Sequence, residues 1–483
     1  AGMLQSPNGY DPLNYPKNAL NRRNQVLQNL VNDKKLSQSE ADQYAATAIG
    51  ASDHNADNSN YNYPYFFDAV IDEAINKYGL TESEIFNDGY KIYTTLNQTD
   101  QQNLQDDYET NWLNPIGGDS QAASVVMDAK TGGVRAVVGG RGEHVFRGFN
   151  RATSMYRSPG STIKPIVDYA PSLSRGFSYD SELKNEKTSF GTNGYSPSNY
   201  ADYTSEDVPM YVALENSYNI PAVWLLDQMG VSVGYNAGIK AGLPLKKSDK
   251  NLAMGIGGLQ KGVTPLQMTQ AYTSFANDGV MSQSHFITKI VDSSGKVIVK
   301  AKEKQTRLWS KKVADEMTSM MMGVYTNGTG KAADPYGYTV AGKTGTTEVT
   351  GSDSTATNAT DSWAIAYTPD VVVTTWTGYD SSANGETIPV SLGMTAGPLM
   401  KTTLEQVIPN TDQTAFGVKS VRQKMSTVTR ESGKSSGSLS SNGFSNAIDG
   451  IQSDIKDGAS QAWSNVKDGA HAAWSGIQSL FGN

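Results

Sequence analysis

The amino-acid sequence predicts an α/β sandwich, in which an antiparallel sheet is flanked by helices. Three observations indicate this fold class. The stretch AASVVMDAKTGGVRAVVGG has two alternating apolar runs around residues 130–133, a pattern typical of a β-hairpin. Residues 151–330 have a mostly helical pattern. Strands return in YTVAGKTGTTEV and in SWAIAYTPDVVVTTWTGYD, where Pro369 and Asp370 mark a tight turn. We therefore expect one sheet completed by distant segments.

Two smaller units are predicted before this sheet. Residues 1–48 carry a helical stripe formed by Leu20, Val26, Leu27, Leu30 and Val31. After an Asn-rich stretch, a helix is expected over 65–78. The segment DGYKIYTTLNQTDQQNLQ then predicts a strand followed by a helix capped by Thr99 or Asp100. Residues 49–119 are thus predicted to form a small α+β linker domain.

One helix in the central region has clear end signals. In TPLQMTQAYTSFANDGV, Thr264 is the predicted N-cap, Pro265 occupies the first turn and Gly279 marks the C-terminal stop.

The C-terminal tail differs in composition from the rest. Residues 409–443 are predicted as a terminal segment and a Ser/Gly-rich linker. Residues 444–483 place apolar side chains at an 11-residue period, which predicts an amphipathic helix with one continuous stripe. Three interpretations of this helix stay open: contact with protein, a membrane-interface position with Trp463 and Trp474 as anchors, or disorder.

Composition excludes several classes of function. The 483 residues carry a formal net charge of −8, which argues against a nucleic-acid partner. The chain has no cysteine, which excludes disulfides and thiol nucleophiles. Its 4 histidines are far apart, so neither a metal site nor a Ser-His-Asp triad is expected. No apolar run is long enough to span a membrane. No cofactor is predicted.

Ser161 and Lys164 in RSPGSTIKP are the first candidate catalytic pair. Pro165 is tolerated only near a helix start, so a helix beginning here would place Ser161 close to its N-terminus. Residues three apart share a helix face, which would bring the lysine amine near the serine oxygen. Gly160, directly before the serine, would leave room for a ligand to approach. Burial among other cations can lower the pKa of a lysine enough for it to act as a base. The alternative is a pair of ordinary helix-start residues.

Two further segments add candidate groups. LENSYNIPAVWLL holds Ser217 and Asn219 before an apolar helix, and an N-capping serine is the alternative interpretation. VAGKTGTTEV is predicted as a strand with Lys343 and Gly345 on one face and Thr344 and Thr346 on the other. A glycine there would let a substrate lie against the strand. The alternative is an edge strand that ends in a turn.

Ser-x-x-Lys, Ser-x-Asn and Lys-Thr-Gly in this order are the motif set of penicillin-recognising serine enzymes. The sequence resembles the class A penicillin-binding proteins, which are bifunctional peptidoglycan synthases, from residue 1 to about 408. FNRAT before the nucleophile and MGIGGLQKGVTPLQMTQAYTSFANDG are similar to family segments. SPNGYDPLNYPKNALNRRNQVL is similar to the end of the family's glycosyltransferase domain. The implied fold is the penicillin-binding protein/β-lactamase-like transpeptidase fold.

The resemblance implies a D,D-transpeptidase that needs no metal and no cofactor. Ser161 would attack the bond between two terminal D-alanines of a peptidoglycan stem peptide, and Lys164 would take its proton. Ser217 would relay a proton to the leaving nitrogen with help from Lys343, while Asn219 would orient Lys164 and the peptide. A second stem peptide would accept the acyl group. β-Lactam antibiotics would acylate the same serine and stay bound.

The resemblance also implies how the substrate is held. The backbone N–H groups of Ser161 and Thr346 would form the oxyanion hole. The terminal carboxylate would be bound by Lys343 with the hydroxyls of Thr344 and Thr346. The predicted substrate-binding stretch includes Gly345 and Thr347 as well.

The implied domains are a glycosyltransferase remnant at 1–48, the linker domain at 49–119 and a transpeptidase domain at 120–408. The opening AGMLQSPNGYDP predicts that an N-terminal part precedes this chain. That part would carry the glycosyltransferase acids and an anchoring helix at the extracytoplasmic face of a bacterial membrane, whereas the chain itself is expected to be soluble. No glycan polymerisation is expected from this chain.

Other functions of the same chemistry stay open. One is a D,D-carboxypeptidase or a β-lactamase, and another is a penicillin-binding sensor or scaffold without turnover. A β-lactamase needs a glutamate placed to activate water. None of Glu182, Glu186, Glu206 and Glu215 has a sequence context that indicates this role.

Overall fold

The computed structural model describes residues 10, 12, 15–50, 62–200, 203–348, 358–381 and 386–432. The chain divides into two compact units, Ala1–Val418 and Lys419–Asn483. The described part of the second unit is one helix, and the predicted amphipathic helix at 444–483 lies outside the described residues. This helix lies within residues 409–443, which the sequence predicted as a terminal segment and linker. Its first residues, VRQKM, are mostly good helix formers, which explains why a helix forms there.

The following bounds define the elements. The helices are α1 (Pro16–Asn32), α2 (Gln38–Ala45), α3 (Pro64–Asn76), α4 (Glu82–Asn87), α5 (Gln98–Glu109), α6 (Arg151–Ser154), α7 (Ala170–Leu173), α8 (Met210–Glu215), α9 (Asn219–Met229), α10 (Val231–Lys240), α11 (Pro265–Ala276), α12 (Lys311–Thr326), α13 (Gly397–Val407) and α14 (Val421–Ser432). The strands are β1 (Lys91–Thr94), β2 (Gln121–Asp128), β3 (Val134–Val138), β4 (Glu182–Leu183), β5 (Val208–Pro209), β6 (Val280–Ser282), β7 (Ile287–Val291), β8 (Val297–Lys300), β9 (Gln305–Arg307), β10 (Ala341–Glu348), β11 (Asn358–Tyr367), β12 (Val371–Gly378) and β13 (Ile388–Pro389).

The main sheet has the strand order β10-β11-β12-β2-β3, with β13 paired to β11, and every pairing is antiparallel. The predicted hairpin is confirmed as β2 and β3, and the predicted turn at Pro369 and Asp370 joins β11 to β12. All residues of β12 are buried, so this strand is covered on both faces. Helices α11 and α13 contact β12 and α12 contacts β10, so helices flank the sheet as the predicted fold class requires.

Helix α11 begins as predicted. The Thr264 side chain accepts a hydrogen bond from the Gln267 amide, and the Gln267 side chain bonds the Thr264 amide in return. The helix ends at Ala276, shortly before the predicted stop at Gly279, whose φ is +88°. From its middle, the Tyr272 hydroxyl donates to the carbonyl of Thr162 at 2.7 Å, which ties α11 to the segment that carries the candidate nucleophile.

The predicted linker region contains the expected helices and strand, with one difference in the residue that caps α5. The helix predicted over 65–78 is α3, and the strand and helix that follow are β1 and α5. The cap of α5 is Asn97 rather than Thr99 or Asp100, because its side chain accepts from the Asp100 amide at 3.0 Å. β1 pairs with β7 in a small sheet, β1-β7-β8, so this sheet combines residues from both sides of the predicted boundary at 119.

Helices α1 and α2 form at the N-terminal end, and α2 has a capping box between Ser37 and Glu40. The predicted stripe of α1 is only partly covered, since Leu20 and Leu30 are 37% and 38% exposed. The predicted helix is confirmed. In the described ranges, no helix has both the length and the apolar character required to cross a membrane.

Candidate active site

Residues 157–169, which carry the candidate nucleophile Ser161 and are called the nucleophile turn below, form an irregular backbone rather than an α-helix. Gly160–Ile163 form a short 3-10 helix, Lys164 follows, and Pro165–Tyr169 form a π-helical turn that leads into α7. The Lys164 amide donates to the carbonyl of Ser161. A helical segment thus starts at Gly160 and places Ser161 close to its N-terminus, as predicted, but its first turn is 3-10 rather than α because Pro165 has no N–H to continue an α-helical ladder. Ser161 is half-buried.

Three glycines allow the nucleophile turn to contact its neighbours closely. A Cβ at Gly160 would lie 2.7 Å from the carbonyl oxygen of Thr346, and one at Gly257 would lie 2.6 Å from the Cα of Gly160. A Cβ at Gly345 would lie 2.6 Å from the carbonyl oxygen of Pro159. Real Cβ atoms cannot occupy these positions without displacing backbone. The turn therefore lies directly against β10 and against the segment around Gly257.

This packing corrects the reasons that the sequence suggested for two glycines. Gly160 was expected to leave room for a ligand, and Gly345 was expected to let a substrate lie on the strand. In the structure, backbone atoms of Thr346 lie beside Gly160, and Pro159 and Thr162 lie beside Gly345. Both glycines are needed for close packing within the protein, because any side chain there would collide with backbone.

Lys164 is fully buried and its amine has three oxygen partners. The amine nitrogen lies 2.7 and 3.0 Å from the carbonyl oxygens of Ser217 and Tyr218 and 2.7 Å from Oδ1 of Asn219, so the protonated amine can donate to all three and the neutral amine to two of them. Burial lowers the pKa of Lys164 to about 7, and an ionised Asp168 would oppose this lowering. An amine with this pKa is neutral in a large fraction of molecules near neutral pH and can accept a proton.

Ser217 and Asn219 occupy the short connection between α8 and α9. Ser217 has a φ of +60°, the left-handed conformation that is uncommon for a residue with a side chain. It does not cap α9, since Tyr218 holds the N-cap position without a side-chain hydrogen bond. The N-capping interpretation of Ser217 is therefore not supported.

Asn199 performs the capping instead, and sequence reasoning missed it. Its Oδ1 accepts from the amides of Asn219 and Ile220 at 2.7 and 3.0 Å. The Asn219 side chain in turn donates to the carbonyl of Ser198 at 2.8 Å. Asn199 lies 20 residues before Asn219, and no local pattern joins the two, so only the tertiary structure identifies this contact.

Lys343 is the second fully buried lysine and lies on the edge strand of the main sheet, β10. Its amine donates to the carbonyl of Thr344 at 3.1 Å. Burial and the positive charge of Lys164 hold the pKa of Lys343 well below its ordinary value. A bound anion would oppose both effects, so this amine is suited to a negatively charged ligand.

The threonines after Lys343 differ in their surroundings. The hydroxyl of Thr344 is 2.5 Å from that of Thr329, and Thr346 is exposed. The Thr347 hydroxyl donates to the carbonyl of Ser158 at 3.3 Å, so it connects β10 to the nucleophile turn. The structure thus brings together all the predicted segments, and it also adds Thr329.

Asp168 is a further buried group that the sequence did not reveal. It lies four residues after Lys164 and is fully buried, with its oxygens near Gly255. Neither carboxyl oxygen has a hydrogen-bond partner among the described residues. Burial raises the pKa of Asp168 well above its ordinary value, while the Lys164 charge opposes this rise. Burial thus favours the neutral form of both Asp168 and Lys164.

No group of three or more potential metal ligands occurs in the part of the chain that the structure describes. The chemistry available at this site is that of a serine hydroxyl, two buried amines, backbone N–H groups and an amide.

Comparison with known proteins decides the family. The profile of the penicillin-binding protein transpeptidase domain matches residues 122–392. The chain belongs to this family. Penicillin-binding protein 2a of Streptococcus pneumoniae serotype 2 is 42% identical over 430 residues, which are 87% of this chain and 58% of that protein. Penicillin-binding protein 1F of Bacillus subtilis is 33% identical over 384 residues, covering 79% of this chain and 52% of the relative. The chain thus spans little more than half the length of these relatives.

Solved structures of penicillin-binding proteins share the fold. PonA1 from Mycobacterium tuberculosis has a TM-score of 0.63 at 22% identity, over 74% of this chain and 95% of that one. Penicillin-binding protein 1A from Haemophilus influenzae has a TM-score of 0.61 at 21% identity, over 86% of this chain and 79% of that one. These similarities confirm the predicted fold of the penicillin-binding transpeptidases.

Proposed function

We propose that this chain is a serine D,D-transpeptidase that crosslinks peptidoglycan stem peptides through an acyl-enzyme on Ser161. The observation that carries the proposal is the environment of Lys164. Its amine is fully buried, lies on the turn that holds Ser161, and is fixed by three oxygens of the segment that contains Ser217 and Asn219.

In the acylation step, the Ser161 oxygen attacks the carbonyl between the two terminal D-alanines. Lys164 accepts the serine proton, and the backbone N–H groups of Ser161 and Thr346 stabilise the oxyanion. The contact between Gly160 and the Thr346 backbone supports this pairing of donors. The C–N bond then breaks, Ser217 gives its proton to the leaving nitrogen, and Lys164 passes the proton that it took from Ser161 on to Ser217, which leaves Lys164 neutral for the second step. D-Alanine departs and an ester remains on Ser161.

In the second step, a neutral amine of a neighbouring stem peptide attacks the ester. Its excess proton returns through Lys164 to the Ser161 oxygen, so that the new amide leaves and the free serine is restored. Attack by water would give the hydrolysed peptide as a side product. Asn219 holds Lys164 in place for both steps.

We assign the terminal carboxylate of the donor peptide to Lys343 and to the hydroxyls of Thr344 and Thr346. Among the described residues, the buried Lys343 amine has a hydrogen bond to a backbone carbonyl and no carboxylate partner, so it would gain strongly from such a ligand. Thr347 and Gly345 connect β10 to the nucleophile turn and so keep this carboxylate site at a fixed position relative to Ser161.

Inhibition by β-lactams follows from the same geometry. PonA1 from Mycobacterium tuberculosis is a structural neighbour in complex with penicillin V, and penicillin-binding protein A from the same organism forms a penicillin G acyl-enzyme complex. A penicillin carries a carboxylate beside its reactive amide, as the donor peptide does. We therefore propose that it acylates Ser161 of this chain.

The domain assignment is also a proposal. Residues 1–48 would be the end of a glycosyltransferase domain, 49–119 the linker domain, and 120–408 the transpeptidase domain. The relatives extend well beyond this chain, which supports a longer parent protein. We propose that the parent is anchored in the bacterial membrane with its catalytic domain on the extracytoplasmic face.

A β-lactamase is less well supported than a transpeptidase. Glu182, Glu186 and Glu206 are exposed. Glu215 is buried with its carboxylate against Gly323 of α12, where a Cβ would come within 1.9 Å of it. None of these positions supports a glutamate that activates water on an ester at Ser161.

Transpeptidation can be separated from its alternatives by product analysis. The purified chain is incubated with a stem pentapeptide that ends in D-Ala-D-Ala and with glycylglycine as the amine acceptor, and Ser161→Ala serves as the control. We expect a new amide product, measured by mass spectrometry, that needs Ser161. Tetrapeptide alone would indicate a carboxypeptidase. A penicillin adduct with neither product would indicate a sensor or scaffold.

A further inference from the structure

The turn after α12 reaches the active site from outside the three motifs. The amides of Gly328 and Gly330 donate back to the carbonyls of Gly323 and Val324 at 2.9 and 2.8 Å, which ends the helix in a compact turn. Between them, the Thr329 amide donates to the carbonyl of Glu215 at 3.1 Å. Glu215 is the last residue of α8 and precedes Ser217 by two positions.

The fit between this turn and α8 is close. A Cβ at Gly328 would lie 2.1 Å from the carbonyl oxygen of Glu215, so only glycine allows this approach. The position of Thr329 is therefore fixed from both sides, by the end of α12 and by the end of α8.

From this position the Thr329 side chain contacts the candidate carboxylate site. Its hydroxyl oxygen lies 2.5 Å from that of Thr344, a distance typical of a strong hydrogen bond. Thr344 is only 7% exposed, whereas Thr329 is exposed at the surface. The contact thus reaches from the protein surface to a nearly buried hydroxyl on β10.

The direction of this hydrogen bond determines what Thr344 can offer a ligand. Each hydroxyl has one proton to donate and two lone pairs. If Thr344 donates to Thr329, it has no proton left for a carboxylate. If Thr329 donates to Thr344, the Thr344 proton is free, and the hydrogen bond that it receives makes it a stronger donor.

We propose that Thr329 is a positioning residue that orients the Thr344 hydroxyl as a donor to the substrate carboxylate. This inference rests on the proposed function and deepens it, because it adds a group outside the three motifs to the carboxylate site. Thr329 acts through Thr344 and does not itself contact the substrate. The hydrogen bond from the Thr329 amide to the Glu215 carbonyl also connects the carboxylate site to the segment that carries Ser217.

The test compares two probes that differ only at the carboxylate: benzylpenicillin and its methyl ester. The second-order rate constant of acylation is measured by intact-mass spectrometry for the wild type and for Thr329→Val, Thr329→Ala and Thr329→Ser. Thr326→Val is the matched control, because Thr326 is an exposed threonine at the end of α12, three residues before Thr329, and its hydroxyl lies within hydrogen-bond distance of the Met322 carbonyl and of Oδ1 of Asn327.

We expect Thr329→Val and Thr329→Ala to lower the rate constant for benzylpenicillin by about 3- to 10-fold, as for loss of one hydrogen bond. The rate constant for the methyl ester should stay unchanged in both variants, since the ester lacks the anionic acceptor. Thr329→Ser should retain the wild-type rate constants, and Thr326→Val should do so for both probes.

Several results would overturn the proposal. Equal losses for benzylpenicillin and for its ester would show a general structural role of Thr329. Wild-type rate constants in both hydroxyl-deleting variants would show that Thr344 is oriented without it. An unreactive wild type would overturn the proposed function itself, whereas an active wild type with an unaffected Thr329→Val overturns only this inference.

Discussion

The nucleophile turn and β10 each place a fully buried lysine in the same site, but they do so in different ways. Lys164 lies in an irregular turn of 3-10 and π geometry and has three oxygen partners from another segment. Lys343 lies in a regular strand, where its amine donates a hydrogen bond to the carbonyl of the next residue, Thr344. The two lysines are thus equally buried but differ in the number and origin of their hydrogen-bond partners.

This difference indicates different roles for the two amines. Three acceptors fix the Lys164 amine at one point, as a base that exchanges a proton with Ser161 must be fixed. In the proposed mechanism, the Lys343 amine gains its strongest partner when the substrate carboxylate binds. The irregular backbone would then position the acid–base group, and the regular strand would bind the ligand in register.

Replacement of Lys164 should have the largest effect. Lys164→Met keeps the length of the side chain but removes the base, and acylation by benzylpenicillin should fall by about 10²- to 10⁴-fold. The rate constant is measured by intact-mass spectrometry, with Lys240→Met at an exposed position of α10 as the control. A loss below tenfold would remove Lys164 from the role of the base.

Replacement of Gly345 tests the contact between the turn and the strand. In Gly345→Ala the new Cβ would collide with the Pro159 carbonyl and with Thr162, so we expect a destabilisation of about 1–3 kcal/mol. Urea denaturation measures the free energy of unfolding. Gly417→Ala is the matched control, since a Cβ there has no heavy atom within 4 Å. Equal stability of the two variants would contradict the tight packing described here.

The acidic limb of the pH profile tests the state of Lys164. Because burial lowers the pKa of Lys164 from 10.5 to about 7, the amine is protonated below this pH and cannot accept the serine proton. The acylation rate constant should therefore rise with pH up to about 7, by about tenfold per unit on the acidic side, and then level off. An acylation rate constant that continues to rise towards pH 10 would show that Lys164 has the pKa of an ordinary lysine.

Replacement of Asp168 should have the smallest effect. Burial raises the pKa of this carboxyl, and its oxygens have no hydrogen-bond partner among the described residues, so we expect it to be neutral. The charge of Lys164 acts on Asp168 and opposes the rise of its pKa. The neutral isostere Asp168→Asn should leave the midpoint of the acidic limb unchanged. A shift to lower pH would instead show an ionised Asp168 that holds Lys164 protonated.

The regular helices and strands could be predicted from the sequence. The alternation in 341–348 and in the β2–β3 hairpin predicted strands that the structure contains, because the period of two in a buried sheet is a strong local signal. The three motifs also occur together in space, as predicted. The N-cap of α11 at Thr264 is correct for the same reason, since a capping box is local.

The irregular turns and the contacts between distant segments could not be predicted from the sequence. The π-helical turn after Lys164, the left-handed Ser217 and the capping of α9 by Asn199 depend on contacts between segments far apart in sequence. The roles of Gly160 and Gly345 were assigned to ligand access, since the sequence cannot reveal which backbone lies beside a glycine. Thr329 has no motif of its own, and only its distance to Thr344 identifies it.

The central claim is that Ser161 is the nucleophile of a penicillin-sensitive acyl transfer. Intact-mass spectrometry of the chain after treatment with benzylpenicillin, followed by peptide mapping, tests this most directly. We predict one stable adduct on the peptide that contains Ser161, and none in Ser161→Ala. An adduct that persists in Ser161→Ala, or no adduct on the wild type, would contradict the account.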